Sequence, residues 1–151
     1  MNTPPMLSVV VPVYNEAGNL HPLRARLIPV LEQVAGADYE VLFVDDGSRD
    51  ESPAILGDFN RDNPRLRAVH LSRNFGHQAA LQAGLDRAAG RAIVLMDADL
   101  QDPPELLPEF VQRWREGFDV VYAVRRTRRE RAWKRLAYHV FYRVLKATAA
   151  I

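Results

Sequence analysis

The chain has 151 residues, of which 48% are hydrophobic and 26% charged, and a formal net charge of +1; this is enough for one domain with a packed core and is ordinary for a globular protein. It contains no cysteine, which excludes disulfides, thiolate metal sites and cysteine nucleophiles. No apolar run approaches the length of a membrane span, and the opening "MNTPPMLSVVVPVYNE" lacks the basic start of a signal peptide, so a cytoplasmic location is expected.

Apolar runs alternate with helical patterns along the chain. Residues Leu7–Tyr14, "LSVVVPVY", read as a buried strand. In the helix that follows, Leu20, Leu23, Leu27, Leu31 and Val34 share one stripe. Pro22 suits its first turn, and Pro29 is expected to bend it. "YEVLFVDD" (Tyr39–Asp46) is a second strand, "SPAILGDFNRDN" a short helix and "LRAVHLS" (Leu66–Ser72) a third strand. "GHQAALQAGLDRAAG" reads as an Ala-rich helix closed by Gly90. "RAIVLMD" is a fourth strand, "PPELLPEFVQRWREG" a helix ended by Gly117, "FDVVYAV" a fifth strand, and a basic helix follows. The βα alternation predicts a mainly parallel sheet covered by helices on both faces, and the continuous apolar strands agree. The expected division is an α/β domain over 1–124 and a basic amphipathic helix over 125–151.

In open α/β sheets, ligands bind beyond the carboxyl ends of the strands. Those ends carry Tyr14-Asn15-Glu16, Asp45-Asp46-Gly47-Ser48, Ser72-Arg73-Asn74 and Asp97-Ala98-Asp99. If the chain stays extended past the fourth strand, Asp97, Asp99 and Gln101 point the same way. Such hard oxygen donors suit Mg2+ or Mn2+ shared with a phosphorylated substrate. The competing reading makes Asp99 a solvated turn acid. "DPPE" reads as a capping box with Asp102 at its head, and "SRDE" (Ser48–Glu51) reads as another. Asp45 and Asp46 would repel a phosphate and are better suited to accept hydrogen bonds from a base or ribose. No G-x-G-x-x-G follows the first strand, which argues against a dinucleotide-binding domain. "LSRNFGHQAAL" is either a plain strand-to-helix turn, with Arg73 pairing to a strand-end acid, or a segment lying beside a nucleotide. His77, alone at a helix start, is a weak candidate.

Taken together, "SVVVPVYNEAGNL", "VLFVDDGSRDES", "LSRNFGHQAALQAGLDRAAG", "IVLMDADLQDPPE" and "VVYAVRR" resemble family 2 glycosyltransferases in order and spacing, over nearly the whole chain. "DADLQDPPE" with "SRNFGHQAAL" is similar to the polyprenyl-phosphate sugar transferases; "VPVYNE" and "VDDGS" mark only the wider family. The resemblance implies a Rossmann-like GT-A fold, a UDP- or GDP-sugar donor, Mg2+ or Mn2+ and inverting transfer to a polyprenyl phosphate. It implies nucleotide contacts at Pro12, Tyr14, Glu16, Val44 and Asp46, and contacts near the ribose and diphosphate at Asp97 and Ala98. By the same resemblance Asp99 and Gln101 are metal ligands, and Asp99 and Arg125 serve the chemistry, Arg125 at a phosphate. A lipid phosphate is already anionic and can attack without a strong general base, whereas a hydroxyl acceptor would need one; no convincing base is legible.

From Arg125 to Lys146 the chain holds nine Lys or Arg and one acid, Glu130, against eleven basic and eighteen acidic residues before it. Trp133, Leu136, Ala137, Val140, Phe141, Val144 and Leu145 share a helical stripe, the pattern of a helix lying on an anionic membrane surface. A core-packed helix with a solvated basic face competes with that reading. Nucleic acid is not an expected partner, given the acidic body. The expected location therefore narrows to the cytoplasmic face of the cell membrane, with oligomeric state open. Family members usually continue further, often into transmembrane helices, so a fragment is expected. The alternatives are transfer to a saccharide hydroxyl, or a nucleotide-sugar-binding module without turnover. A phosphoacceptor receiver domain would need its acid pair after strand one and a lysine after strand five; the chain's lysines are Lys134 and Lys146.

Overall fold

The computed structural model describes residues 3–124. The chain divides into two units, Met1–Val121 and Tyr122–Ile151, and the sheet with its helices belongs to the first. Arg125 and the basic helix expected over 125–151 lie outside the described residues.

The elements run β1 (Leu7–Val13), α1 (Ala17–Ala35), β2 (Tyr39–Asp45), α2 (Ser52–Asp62), β3 (Leu66–His70), α3 (His77–Leu85), β4 (Ala92–Leu95), a 3-10 turn (Pro104–Leu106) and α4 (Leu107–Arg115). The four strands form a parallel sheet in the order β3-β2-β1-β4. Every residue of β1 and β2 is buried, as central strands covered on both faces require. One face carries Leu7, Val9, Val11, Val13, Val41 and Phe43, packed with Leu20, Leu23, Leu27 and Leu31 of α1, Leu56 and Phe59 of α2, and Leu107 and Val111 of α4. The other face presents Val10, Leu42 and Val44 to Ala80 of α3. This mixed α/β arrangement is the one expected. Among the described residues no helix is long and apolar enough to cross a membrane.

Several local expectations are corrected. Helix α1 begins at Ala17, so Pro22 lies beyond its first turn, and the helix continues past both Pro22 and Pro29. Each proline removes one backbone donor, but the fully buried leucine stripe holds the helix to the sheet. Helix α3 ends at Leu85, not at Gly90. Gly90 instead meets the start of β1: a Cβ there would lie 2.5 Å from the Ser8 nitrogen. The 3-10 turn is headed by Pro103 and not by Asp102, and Glu105 pairs with Arg26 of α1, at 2.9 and 2.7 Å. Gly117 does end α4 as expected. At φ +98 it donates its N–H to Trp114 O, and Phe118 N–H reaches Arg113 O.

Residues 118–124 do not form the fifth strand. Phe118 and Val120 are 54% and 78% exposed. An apolar run becomes a strand only by pairing, and among the described residues β4 pairs with β1 alone.

At the amino ends of the strands a buried polar knot ties the sheet together. Glu40 Oε1 accepts the Ser8 hydroxyl at 2.7 Å and Ala89 N–H at 2.9 Å, and Glu40 Oε2 accepts Arg67 Nη1 at 2.8 Å. Ser8 Oγ in turn accepts Gly90 N–H. Burial pushes the Glu40 carboxyl up, but the bonds from Ala89, Ser8 and Arg67 outweigh it and hold the group below its ordinary value.

Candidate functional site

A cleft of about 270 Å³ opens at the carboxyl ends of the strands. It is lined by Pro12, Val13, Tyr14 and Glu16 from the end of β1, Asp46 after β2, Asn74, His77 and Ala80 from the β3–α3 segment, and Asp97, Ala98 and Asp99 after β4. The fold thus brings together seven residues singled out in the sequence: Pro12, Tyr14, Glu16, Asp46, Asp97, Ala98 and Asp99. Val44 and Gln101 are not in the lining. The Val44 side chain is buried in the core beneath α3.

The loop after β1 is shaped by the loop after β2. Asn15 has φ +56, a conformation its side chain tolerates better than most. Its N–H donates to Ser48 Oγ at 2.9 Å, and its Oδ1 accepts Arg49 N–H at 2.8 Å. Glu16 N–H donates to Ser52 Oγ at 3.0 Å. Asp50 accepts Ala17 N–H, the first residue of α1, and Ser52 N–H, the first residue of α2, each at 3.0 Å. Residual desolvation pushes the Asp50 carboxyl up; the bonds from Ser52 and Ala17 prevail and hold it below its ordinary value. "SRDE" is therefore not the expected capping box headed by Ser48. It is a zipper that satisfies the first N–H groups of two helices and fixes where Tyr14 and Glu16 stand.

Asp45 and Asp46 are each 3% exposed. Asp45 accepts Ser48 N–H through Oδ1 and lies 3.0 Å from His70 Nδ1 through Oδ2. Asp46 accepts Phe75 N–H at 2.7 Å and Gly76 N–H at 2.9 Å, one on each oxygen. The Arg73 guanidinium lies over the Phe75 ring, 4.3 Å from its centroid, instead of pairing with a strand-end acid.

Beyond β4 the chain does not stay extended. It turns at Ala98–Asp99, and Leu100 takes φ +62, at a cost of about 1–2 kcal/mol for a residue with a Cβ. Leu100 packs against the main core, which holds the turn. The alternation expected for Asp97, Asp99 and Gln101 is thereby broken. Asp97 and Asp99 still reach the cleft, while Gln101 N–H donates to Asp99 Oδ1 at 3.0 Å.

The Asp97 and Asp99 carboxylates are hard oxygen donors on one wall. Among the described residues no three His, Asp or Glu side chains converge into a metal site. Two carboxylates are what a cation such as Mg2+ or Mn2+ can take from a protein, with water and phosphate oxygens completing its shell. Facing Asp97 is His77, whose Nε2 lies 3.7 Å from Asp97 Oδ1, both side chains about half exposed. Asn74 and His77 are cleft residues that sequence reasoning left undecided or weak. The one signal for them was the position of "LSRNFGHQ" at a strand's carboxyl end.

Residues 8–148 match the family described as glycosyl transferase family 2. The chain is 49% identical over 145 residues to "Uncharacterized glycosyltransferase YkcC" of Bacillus subtilis (strain 168), covering 95% of this chain and 45% of that protein. It is 42% identical over 143 residues to an undecaprenyl-phosphate 4-deoxy-4-formamido-L-arabinose transferase of Enterobacter sp. (strain 638), covering 94% and 43%. Among solved structures it is similar to the mannosyltransferase PcManGT from Pyrobaculum calidifontis in complex with GDP-Man and Mn2+, with TM-score 0.65, 28% identity and coverage of 89% and 39%. The chain spans less than half the length of these proteins. With a matching family model across most of its length, over a GT-A-like parallel sheet, the chain belongs to the family 2 glycosyltransferases.

Proposed function

We propose that this chain forms the donor side of an enzyme that moves a sugar from a UDP- or GDP-sugar to a polyprenyl phosphate, with inversion. The observation that carries the reading is the meeting of Tyr14, Glu16, Asp97 and Asp99 in one cleft at the carboxyl ends of parallel strands. Pro12, Tyr14 and Glu16 would seat the nucleotide, with Val44 beneath as packing. Asp97 and Ala98 would face the ribose and diphosphate. Asp99 would hold Mg2+ or Mn2+, steadied by the Gln101 N–H on its Oδ1, and Arg125 would meet a phosphate. The cation, when bound, supplies charge neutralisation to the leaving nucleoside diphosphate. In the transfer, an oxygen of the acceptor phosphate forms the new bond to the anomeric carbon, and the bond from that carbon to the nucleoside diphosphate breaks. The name of the Enterobacter relative supports a polyprenyl phosphate acceptor, and the PcManGT complex supports a GDP-sugar with Mn2+. The basic segment 125–151 would hold the chain to an anionic membrane surface at the cytoplasmic face; sedimentation with anionic but not neutral vesicles tests that part.

Calorimetry with UDP- and GDP-sugars, with and without Mg2+ or Mn2+, tests the donor site. Binding is expected to require the cation and to be lost in Asp99→Ala. Equal, cation-indifferent binding by that variant would refute the reading. A second reading, transfer to a saccharide hydroxyl, draws on His77 beside Asp97 as an imidazole in the cleft. An acceptor screen in which saccharides are glycosylated and polyprenyl phosphates are not would select it. Donor binding with no transfer to either class would select a binding module.

A further inference from the structure

Glu16 lines the cleft, and its side chain is held by a residue outside the lining. Asn19 Nδ2 donates to Glu16 Oε2 at 2.6 Å. Among the described residues no donor reaches Glu16 Oε1. Helix geometry brings the pair together: Glu16 is the N-cap of α1 and Asn19 its third residue, and residues three apart share a face.

Helix capping does not account for the contact. An N-cap side chain ordinarily accepts a backbone N–H of the first turn, and a capping box returns the third residue's side chain to the N-cap N–H. Neither bond is made. Glu16 forms no side-chain cap, and its N–H goes to Ser52 Oγ at 3.0 Å. The helix start is closed by Asp50, which accepts Ala17 N–H, and by Glu16 O, which accepts Asn19 N–H at 2.8 Å and Leu20 N–H at 3.2 Å. The Asn19 side-chain amide therefore adds no cap to the helix; what it holds is the cleft acid.

We propose that Asn19 is a positioning residue for the donor site: its amide fixes the Glu16 carboxylate and leaves Oε1 to accept an N–H or O–H from the nucleoside part of the ligand. This rests on the donor-site reading above. A carboxylate is an acceptor only, so it suits a base or a ribose and repels a phosphate. A free Glu side chain loses rotamer freedom when a ligand fixes it; Asn19 removes that loss in advance. The effect is confined to ligands that carry a nucleoside.

The test uses the 151-residue chain as parent, with Asn19→Ala, Asn19→Asp, Glu16→Ala and the double variant Glu16→Ala with Asn19→Ala. The control is Asn60→Ala, which removes the bond from Asn60 Nδ2 to Leu66 O at 2.8 Å, between α2 and β3. Affinities for UDP, GDP and pyrophosphate, each with Mn2+, are read by calorimetry, and the Asn19 side-chain amide by NMR. That amide should exchange slowly in the parent and be released in Glu16→Ala. For Asn19→Ala, affinity for the preferred nucleotide should fall about fivefold, the scale of one hydrogen bond, with pyrophosphate affinity unchanged. In the Glu16→Ala background the same substitution should change nothing, because the two residues act as one unit. Asn60→Ala should lower the thermal midpoint and leave all affinities alone. Should Asn19→Ala fail to fold, Asn19→Asp decides. An acid in the first turn suits the helix dipole, but this one sets a second carboxylate against Glu16, so nucleotide affinity should fall at least as far in a folded chain. Unchanged nucleotide affinity, a fall that persists in the Glu16→Ala background, or a fall that pyrophosphate shares overturns the proposal. A parent chain that binds neither nucleotide overturns the donor-site reading and this role with it. A parent that binds one, with variants that do not follow the pattern, overturns this role alone.

Discussion

Replacing Glu40 by Ala should be among the most damaging single changes in the described fold. The carboxylate holds three donors on two oxygens: the Ser8 hydroxyl and Ala89 N–H on one, Arg67 on the other. Ser8 is fully buried, so Glu40→Ala strands its hydroxyl and leaves the Ala89 N–H without its partner. The stranded Ser8 hydroxyl costs about 1–3 kcal/mol; Ala89 is exposed, so water can take up its N–H. The Arg67 side chain is 47% exposed and can turn to water, so its loss adds little. The expected total is about 1–3 kcal/mol. Glu40→Gln keeps an oxygen toward Ser8 and Ala89 and loses only the half-exposed Arg67 contact, so a cost below about 1 kcal/mol is expected. Urea unfolding at pH 7 should order the chains as parent, then Gln, then Ala. The pH dependence has a definite sign. The folded carboxyl is held below its ordinary value of 4.5, so the unfolded chain takes up the proton first. The stabilisation is complete above that value and is lost as the pH falls through the lower folded value. The parent and Glu40→Gln curves should therefore converge on acidification. An Ala variant as stable as the parent, or an acid limb identical in parent and Gln, would refute the account of the knot.

Two helical glycines should respond to alanine with opposite signs. Gly57 in α2 has open space at its Cβ, so Gly57→Ala should stabilise by about 0.5–1 kcal/mol through helix propensity, read as a raised thermal midpoint. Gly84 in α3 lies on the sheet, where a Cβ would sit 2.3 Å from Val10 Cγ1 and 3.1 Å from Val44 Cγ2; Gly84→Ala should destabilise by about 1–3 kcal/mol despite the same propensity gain, and a raised midpoint would contradict the packing of α3. Asp50→Ala removes the acceptor for the first N–H groups of both α1 and α2 and should cost about 0.5–2 kcal/mol. It should also speed amide exchange at Ala17 and Ser52, and unchanged exchange at both would count against the zipper.

Much of the molecule was legible without coordinates. The alternation of apolar runs with helical stripes specified a parallel sheet between helices, because strands covered on both faces must be continuously apolar. The leucines of α1 were readable from their spacing and are all buried. The glycine that ends α4 was readable from its place after the last helical turn. The acids at the strand ends were readable as one group because parallel connections bring all carboxyl ends to one edge.

What failed in the reading depended on groups distant in sequence. Gly90 reads as a helix stop until Ser8 appears beside it. Ser48 and Glu51 read as a local cap until Ser48 and Asp50 meet Asn15 and Ala17, more than thirty positions away. An extended run from Asp97 to Gln101 is reasonable locally, but the packing of Leu100 into the core imposes a turn. The segment Phe118–Val124 has a strand's composition and no strand partner among the described residues. His77 is unremarkable in sequence and meets Asp97 only across the cleft. Periodicity and composition thus determined the layers, the buried faces and the edge where chemistry collects, since these follow from apolar burial along a regular backbone. Which backbone N–H each carboxylate accepts, and so which acid faces the cleft and which is occupied in building it, was decided only when the loops met, because a hydrogen bond depends on direction and distance that spacing along the chain does not encode.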